Sequence, residues 1–97
     1  MRIIKVKPLK EYWLNQKEIE TQLKSLIAFI KAAKWKKPID VKKQFAKASI
    51  IKDNRVVFNI CGNKYRLVVK INYAHQIVYV RFIGTHLEYD GINAEEI

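Results

Sequence analysis

Residues 55–84 read RVVFNICGNKYRLVVKINYAHQIVYVRFIG, and this stretch decides the fold. Three of its segments are rich in valine, isoleucine and aromatic residues: Arg55–Ile60, Tyr65–Asn72 and Gln76–Gly84. Turn residues separate them at Gly62-Asn63 and at Ala74-His75. β-Branched and aromatic residues favour strands, whereas glycine and asparagine favour tight turns. The stretch therefore predicts three consecutive antiparallel strands.

The two turns fix a register, because opposed residues of an antiparallel pair share one face of the sheet. A turn centred on Gly62-Asn63 opposes Phe58 to Leu67. A turn centred on Ala74-His75 opposes Leu67 to Phe82 and Val69 to Val80. One face is then wholly apolar and is the expected core face: Val56, Phe58, Ile60, Tyr65, Leu67, Val69, Ile71, Val78, Val80 and Phe82. The other face is mixed and carries Arg55, Asn59, Arg66, Lys70, Tyr79 and Arg81 among Val57, Val68 and Ile83.

The first half of the chain predicts a short strand and two helices. Ile4 and Val6 alternate with lysines before Pro8, which suggests a strand that ends there. Helices are expected over about Pro8–Gln16 and about Glu18–Lys34, because apolar residues recur there at helical spacing. Their apolar stripes are Leu9, Tyr12 and Trp13 in the first helix and Ile19, Leu23, Leu26, Ile27, Ile30 and Ala33 in the second. The sequence thus predicts one α+β domain over residues 1–97, with two N-terminal helices packed on a small sheet of three to four strands.

The chain is strongly basic, with nineteen Lys and Arg residues, nine Asp and Glu residues and a formal net charge of +10. This balance favours a polyanionic partner, with nucleic acid, an anionic membrane surface and an acidic protein as the alternatives. Seven lysines lie from Lys31 to Lys47 with a single acid, Asp40, which is a candidate cap for a short helix through Gln44. Trp35 interrupts the run. Lysines interleaved with an aromatic residue suit nucleic-acid binding, although a solvated surface would look the same.

Other features of the sequence indicate where the protein works and which kinds of site it lacks. Met1 leads into an alternating stretch and not into the continuous apolar run of a signal peptide, which predicts a cytoplasmic protein. A single cysteine, Cys61, excludes an internal disulfide and a multi-cysteine zinc site, and its place beside Gly62 favours a structural role over a reactive one. With two histidines and no carboxylate pair at ligand spacing, we expect neither a metal nor a cofactor.

Arg66 and Arg81 are the main candidates for phosphate chemistry. The predicted register places them on one face of adjacent strands, one diagonal step apart, so two guanidinium groups could hold one phosphate. Guanidinium forms paired hydrogen bonds with phosphate and stays charged. It therefore suits both binding and the stabilisation of charge in a transition state. Ordinary solvated arginines would show the same pattern.

The segment after the last strand, GTHLEYDG at residues 84–91, is the densest group of titratable side chains. Unperturbed histidine has a pKa of about 6.5, so His86 could accept or donate a proton. Tyr89 could stack on a base or act as an acid. The alternative is structural, with His86 satisfying hydrogen bonds at a strand end and Tyr89 packing in the core.

Two stretches strongly resemble the HigB family of bacterial toxins: FNICGNKYRLVV at residues 58–69 and VRFIGTHLEYD at residues 80–90. The similarity spans most of the chain and includes Ala33-Lys34-Trp35 and Asp40-Val41. It implies a RelE-like fold, in which two N-terminal helices pack on a small antiparallel sheet and the opposite, concave surface receives messenger RNA.

The resemblance also implies an activity and partners. Such toxins cleave messenger RNA, generally in a translation-dependent way at the ribosomal A site. They are neutralised by a HigA-like antitoxin with a helix-turn-helix domain, through which the complex would bind operator DNA. The catalytic candidates in the matching motifs are Arg66, Arg81, His86, Tyr89 and Lys64. The RNA-binding candidates are Lys31, Lys34, Lys36, Lys37, Lys42, Lys43, Lys70 and Asn59.

The reaction expected from this resemblance needs no metal, since the 2′-hydroxyl attacks the adjacent phosphate and leaves a cyclic phosphate and a 5′-hydroxyl. Arg66 and Arg81 would stabilise the pentavalent phosphate, and His86 would be general base or acid. Tyr89 would stack on or orient a base, and Lys64 would supply charge or a proton. The alternative is a non-catalytic protein that blocks translation by occupancy. A DNA-binding regulator is disfavoured, because the chain shows no helix-turn-helix pattern.

Overall fold

The computed structural model describes all of residues 1–97. Its helices are α1 (Lys7–Asn15), a 3-10 helix (Lys17–Ile19), α2 (Glu20–Ala32), α3 (Pro38–Gln44) and α4 (His86–Asp90). Its strands are β1 (Arg2–Ile4), β2 (Ser49–Ile51), β3 (Arg55–Ile60), β4 (Tyr65–Asn72) and β5 (Ile77–Thr85). None of the helices has both the length and the apolar composition needed to cross a membrane.

The fold class is α+β, as predicted, but the sheet is larger than expected. Its five strands lie in the order β1-β5-β4-β3-β2. β2, β3, β4 and β5 pair in antiparallel fashion, whereas β1 joins β5 in parallel. The sequence did not reveal β2, because Ser49–Ile51 has only three residues and no alternation. β1 ends at Ile4, earlier than predicted, since Val6 already has helical backbone angles before α1.

The main core lies between α1, α2 and one face of the sheet. The residues predicted as apolar stripes are buried there: Leu9, Trp13, Ile19, Leu23, Leu26, Ile27, Ile30 and Ala33, with Tyr12 partly buried against them. The sheet contributes Val56, Phe58, Ile60, Tyr65, Leu67, Val69, Ile71 and Val78. The predicted layer of two N-terminal helices on a sheet is therefore confirmed. The second helix is shorter than predicted, because the chain becomes extended at Ala33.

The predicted register is confirmed through β3 and β4 and through the first part of β5. Phe58 opposes Leu67, and Val69 opposes Val80. The turn between β3 and β4 places Gly62 at a φ of 67°, which glycine adopts without the steric cost of a side chain. The turn residues thus set the pairing as their spacing indicated.

A β-bulge at Arg81 breaks this register in the second part of β5. Phe82 opposes Val68 and Ile83 opposes Leu67, so no residue lies opposite Arg81. One extra residue on a strand shifts the pairing and moves the following side chains to the other face. The prediction that Leu67 opposes Phe82 is therefore wrong.

The bulge exchanges the faces predicted for Phe82 and Ile83. Ile83 packs against the main core, whereas Phe82 packs on the other side of the sheet with Val57, Val68 and Ala94. Phe82 is thus not part of the core face, and Ile83 is not part of the mixed face. The chain after α4 returns to cover part of the surface that the sequence predicted to be open.

The face of the sheet away from α1 and α2 is called here the second face. Its opposed residues form three rows: Asn59, Arg66 and Gly84 in the first, Val57, Val68 and Phe82 in the middle, and Arg55, Lys70 and Tyr79 in the third. The middle row packs with Ala94, and Tyr89 and Ile97 lie against this cluster. In the third row Arg55 is buried, at 7% exposure, and its Nε donates a hydrogen bond to the Ile97 main-chain oxygen at 2.6 Å. Polar groups are therefore presented at two places on this face, at either side of an apolar row.

The lysine-rich segment differs from its prediction in two respects. Asp40 is the third residue of α3 and not the N-cap residue, which is Lys37, but its carboxylate does cap the start of the helix: it accepts hydrogen bonds from the backbone of Lys36 at 2.9 Å and of Lys37 at 3.2 Å. These bonds, chiefly the one from Lys36, lower the pKa of Asp40. Trp35 is buried, at 3% exposure, and its Nε1 donates to Oε1 of Gln44 at 3.0 Å. The expectation that Trp35 offers an aromatic surface to nucleic acid is therefore wrong.

Candidate active site

A short helix carries the densest group of candidate catalytic residues. α4 follows β5 directly, and Thr85 caps it by accepting a hydrogen bond on Oγ1 from the backbone of Glu88 at 3.2 Å. The Glu88 carboxylate in turn accepts from the backbone N–H of Thr85 at 2.8 Å. This reciprocal capping box fixes the start of the helix. The spacing T-x-x-E is visible in the sequence, but the helix was not predicted from it.

Arg66, His86 and Tyr89 meet at this end of the second face. Nη2 of Arg66 lies 3.0 Å from Nδ1 of His86, and Nη1 donates to the Asn63 carbonyl at 2.8 Å. The Arg66 guanidinium also lies over the ring of Tyr89, 5.6 Å from its centroid, in a cation–π contact. Three of the predicted catalytic residues are therefore in contact, and they are called here the His86 cluster.

Asp90 extends the His86 cluster. Nε2 of His86 lies 3.3 Å from Oδ2 of Asp90, four residues further along α4. A guanidinium can only donate, so Nδ1 of His86 accepts from Arg66 and the imidazole proton lies on Nε2, facing the carboxylate. No further side chain joins them to form a group of ligands that could hold a metal ion. Asp90 was not among the predicted site residues, because its spacing from His86 acquires meaning only once the segment is helical.

Lys64 lies beside the His86 cluster, but its side chain contacts a different group. Its Nζ lies 2.7 Å from Oε1 of Glu18, which also accepts a hydrogen bond from the hydroxyl of Tyr65. The hydrogen bonds from Lys64 and then Tyr65 lower the pKa of Glu18, and the bond to this carboxylate raises the pKa of Tyr65 to about 12. Only the backbone connects Lys64 to the cluster, since its carbonyl accepts from the N–H of His86 at 2.9 Å.

Arg81 occupies a place separate from Arg66. Its guanidinium lies over the ring of Tyr79, with 5.6 Å between the central carbon and the ring centroid. Together with Lys70 it lines a hollow of about 400 Å³. Arg66 opposes Gly84 in the sheet, whereas the bulge leaves Arg81 without an opposing residue. The two guanidinium groups, expected to lie one diagonal step apart in a regular register, therefore contact different residues.

The RNA-binding candidates lie in several parts of the structure. Lys31, Lys34, Lys36, Lys37, Lys42 and Lys43 are exposed on α2, α3 and the segment between them, and Asn59 and Lys70 are half-buried in the sheet. Lys34 and Lys36 border a second hollow, of about 490 Å³, which Tyr73 also lines. Asn59 opposes Arg66 across β3 and β4. Of these candidates, Asn59 is the one paired directly with a member of the His86 cluster.

Known proteins are similar in sequence to this chain. The model of the HigB_toxin family, described as the RelE-like toxic component of a toxin-antitoxin system, matches residues 19–92. The chain is 33% identical over 96 residues to the mRNA interferase toxin HigB of Escherichia coli, which covers 97% of this chain and 92% of that protein. The mRNA interferase HigB of Shigella flexneri matches with the same identity and coverage. The range matched by the family model contains Arg66, His86, Tyr89 and Asp90.

Proposed function

This chain belongs to the HigB family of RelE-like toxins, the toxic components of toxin-antitoxin systems, and we propose from this that it cleaves messenger RNA during translation. The relatives named above are mRNA interferases. The observation that carries the proposal is the contact between Arg66 and His86, which sets a phosphate-binding group beside a proton-transfer group. Cleavage of the messenger would stop protein synthesis.

In the proposed reaction the 2′-hydroxyl of one nucleotide attacks the adjacent phosphorus in line. The bond from this phosphorus to the 5′-oxygen of the next nucleotide breaks, leaving a 2′,3′-cyclic phosphate and a 5′-hydroxyl. One proton leaves the 2′-hydroxyl and one joins the 5′-oxygen, so the protein has to accept and return a proton. Negative charge builds on the other phosphate oxygens, where a guanidinium stabilises the transition state.

Substrate binding would release His86 for this proton transfer. In the free protein the Arg66 guanidinium donates to Nδ1 of His86. A phosphate would compete for this guanidinium, because charge-assisted paired hydrogen bonds are stronger than a bond to neutral imidazole. Nδ1 would then accept the 2′-hydroxyl proton, and the Asp90 carboxylate at Nε2 would stabilise the resulting imidazolium. Attack in line leaves the 5′-oxygen on the far side of the phosphorus, so a second group, for which Lys64 is the candidate, would donate the proton that it takes up, and the imidazolium would release its proton to water.

The other catalytic candidates would support this centre. Tyr89 would stack on or orient a base next to the cut. Its ring already contacts the Arg66 guanidinium, and 6.5 Å separates its centroid from that of the Phe82 ring. Lys64, whose side chain is 61% exposed, would add positive charge or supply a proton. Arg81 would contact the RNA beyond the phosphate that reacts.

The lysine-rich segment from Lys31 to Lys47 would dock on ribosomal RNA. It holds seven of the nineteen Lys and Arg residues. The lysines of α2, α3 and the segment between them are exposed. Contacts between lysines and phosphates weaken steeply as salt rises. Binding to ribosomes should therefore show a strong salt dependence.

The toxin family implies an antitoxin. We propose that this partner is HigA-like, that it carries a helix-turn-helix domain, and that the complex binds operator DNA through it. A chain that acts on translating ribosomes would work in the cytoplasm. A reading frame for a small helix-turn-helix protein immediately beside this gene would support the proposed partner.

The proposed activity is tested with a defined messenger in an actively translating extract. The wild type should yield fragments that end in a cyclic phosphate and begin with a 5′-hydroxyl. His86→Ala should slow cleavage by about 10²- to 10⁴-fold, the usual contribution of general acid–base catalysis. Lys10→Ala, which removes an exposed lysine outside the site, serves as the control. Inhibited translation with an intact messenger would instead support occupancy, and undiminished cleavage by an Arg66→Ala and His86→Ala double variant would place the active site elsewhere.

A further inference from the structure

The hollow that Arg81 lines has the features of a second binding site. Its volume of about 400 Å³ lies within the roughly 300–1,000 Å³ of small-ligand sites. Its polar side chains are Asn54, Lys70, Asn72, Tyr73, Tyr79 and Arg81, and no carboxylate lines it. It combines two aromatic rings, two cations and two amides.

Two neighbouring strands bring these groups together. Tyr79 directly opposes Lys70 in the third row of the second face. Arg81 lies two residues beyond Tyr79 on β5, so its side chain emerges on the same face. Its guanidinium lies over the Tyr79 ring at 5.6 Å from the centroid. β4 and β5 thus place an ammonium and a guanidinium beside the same ring.

A second hollow extends the positive surface. Tyr73 borders both hollows, and the second one is also lined by Lys34 and Lys36. The hydroxyl of Tyr73 is buried and has no hydrogen-bond partner. None of Lys34, Lys36, Lys70 and Arg81 forms an ion pair. The charges of this region are therefore available to an anionic ligand.

We propose that the hollow around Tyr79 binds a nucleotide of the messenger that flanks the cleaved phosphate, an inference that rests on the proposed cleavage activity. The base stacks on Tyr79, its phosphate pairs with Arg81 and Lys70, and the amides of Asn54 and Asn72 face the edge of the base. An acidic peptide would satisfy the cations but would leave the ring and the amides without a role.

The position of the hollow fits an RNA strand that also reaches the His86 cluster. Arg66 and Lys70 are four residues apart on β4, which corresponds to about 13 Å at about 3.3 Å per residue. Stacked nucleotides rise about 3.4 Å each. The hollow therefore takes a nucleotide no more than about four positions from the cut. Along β5, Arg81 is the residue of the hollow nearest to Gly84, which opposes Arg66.

The inference is tested by photo-cross-linking and by affinity. The probe is a single-stranded oligouridylate of about twelve nucleotides, long enough to cover both sites, that carries an iodinated uridine. Irradiation of the wild-type chain should attach the probe to Tyr79. Tyr79→Leu should raise the Kd about 5- to 100-fold, whereas Tyr79→Phe, which keeps a ring to stack on, should bind as the wild type does. Arg81→Ala removes one phosphate contact and should reduce the slope of log Kd against log salt concentration by about one. Lys10→Ala should leave the Kd nearly unchanged.

The outcomes separate this inference from the proposed cleavage. Cross-links that avoid Tyr79, with an unchanged Kd in Tyr79→Leu and Arg81→Ala, overturn the inference even if messenger is still cleaved in the extract. If Tyr79→Leu and Arg81→Ala lose binding to the antitoxin but keep the RNA affinity of the wild type, the hollow is assigned to the antitoxin and the inference is also overturned. Cross-linking at Tyr79 with an intact messenger supports the RNA-binding hollow and contradicts cleavage. The cross-link is read on the wild type, so it does not depend on how the variants fold.

Discussion

Nε2 of His86 lies 3.3 Å from Oδ2 of Asp90, on the opposite side of the imidazole from Arg66. The ring is therefore held from both nitrogen atoms. Arg66 fixes which nitrogen carries the proton, and Asp90 faces the nitrogen that does. Asp90 does not reach the substrate in the proposed reaction, so it is a positioning residue that acts through His86.

Replacing Asp90 by asparagine should impair the chemical step. We expect Asp90→Asn to lower the cleavage rate constant roughly 10- to 100-fold at an unchanged KM, a part of what general acid–base catalysis contributes. Glu95→Gln, at an exposed carboxylate of the C-terminal segment, is the control. An unchanged cleavage rate constant in Asp90→Asn would show that Asp90 does not act through His86.

Gly84 allows β5 to turn into α4 at close range. A Cβ atom there would lie 2.6 Å from Cζ of Phe82 and 3.1 Å from Oε1 of Glu88. Gly84→Ala should therefore lower the free energy of unfolding by about 1–3 kcal/mol, as overpacked sites do, and should reduce cleavage by displacing α4. Urea denaturation measures the first effect. Gly91→Ala is a matched control, because its Cβ would meet its nearest atom at an ordinary 3.5 Å. Equal stability of the two variants would contradict the prediction.

Tyr65 should make stability depend on alkaline pH. The hydrogen bond to Glu18 is the largest cause that raises the pKa of Tyr65 from 10.0 to about 12, so the folded state favours the neutral phenol. The stability that this provides is fully present below pH 10 and is lost as the pH rises towards about 12. Denaturation of wild type and Tyr65→Phe at a series of pH values should show a steeper decline for the wild type. Parallel declines would mean that Tyr65 ionises alike in the folded and unfolded chains.

Leu23 tests the packing of α2 on the sheet. Its side chain has 0% exposure in the main core, whereas Leu14 on α1 is 53% exposed. Leu23→Ala should cost about 2–5 kcal/mol of unfolding free energy, since it leaves a cavity as well as removing apolar surface from the core. Leu14→Ala should change it by no more than about 0.5 kcal/mol. Chemical denaturation followed by tryptophan fluorescence measures both, and a similar cost for the two leucines would contradict the described core.

The sequence predicted most of the architecture, because periodicity reports burial. The stripe from Ile19 to Ala33 and the alternation through β3 and β4 each mark one buried face. The bulge could not be predicted from the alternation of apolar residues. Val80, Phe82 and Ile83 are all apolar, so the alternation is lost where the extra residue lies. Either Phe82 or Ile83 could fill the core, so only the three-dimensional packing determines which of them does.

The candidate site was predicted in part. Residue type and family resemblance selected Arg66, His86 and Tyr89, and the structure places these three in contact. The contact of Asp90 with His86 could not be predicted, since it depends on a helix of five residues. Contacts that arise from a local irregularity leave no periodic signal in the sequence.

The bulge at Arg81 also sets the phase of everything that follows it. β5 runs into Thr85 and α4 without a loop that could absorb an offset. If Arg81 were removed, Val80 and Phe82 would be consecutive and could still oppose Val69 and Val68, so each later residue of β5 would keep its face. If Arg81 instead joined the regular ladder, each later residue would move to the opposite face, and α4 would begin on the side occupied by the main core. The exclusion of one residue from the pairing therefore determines which side of the sheet carries His86.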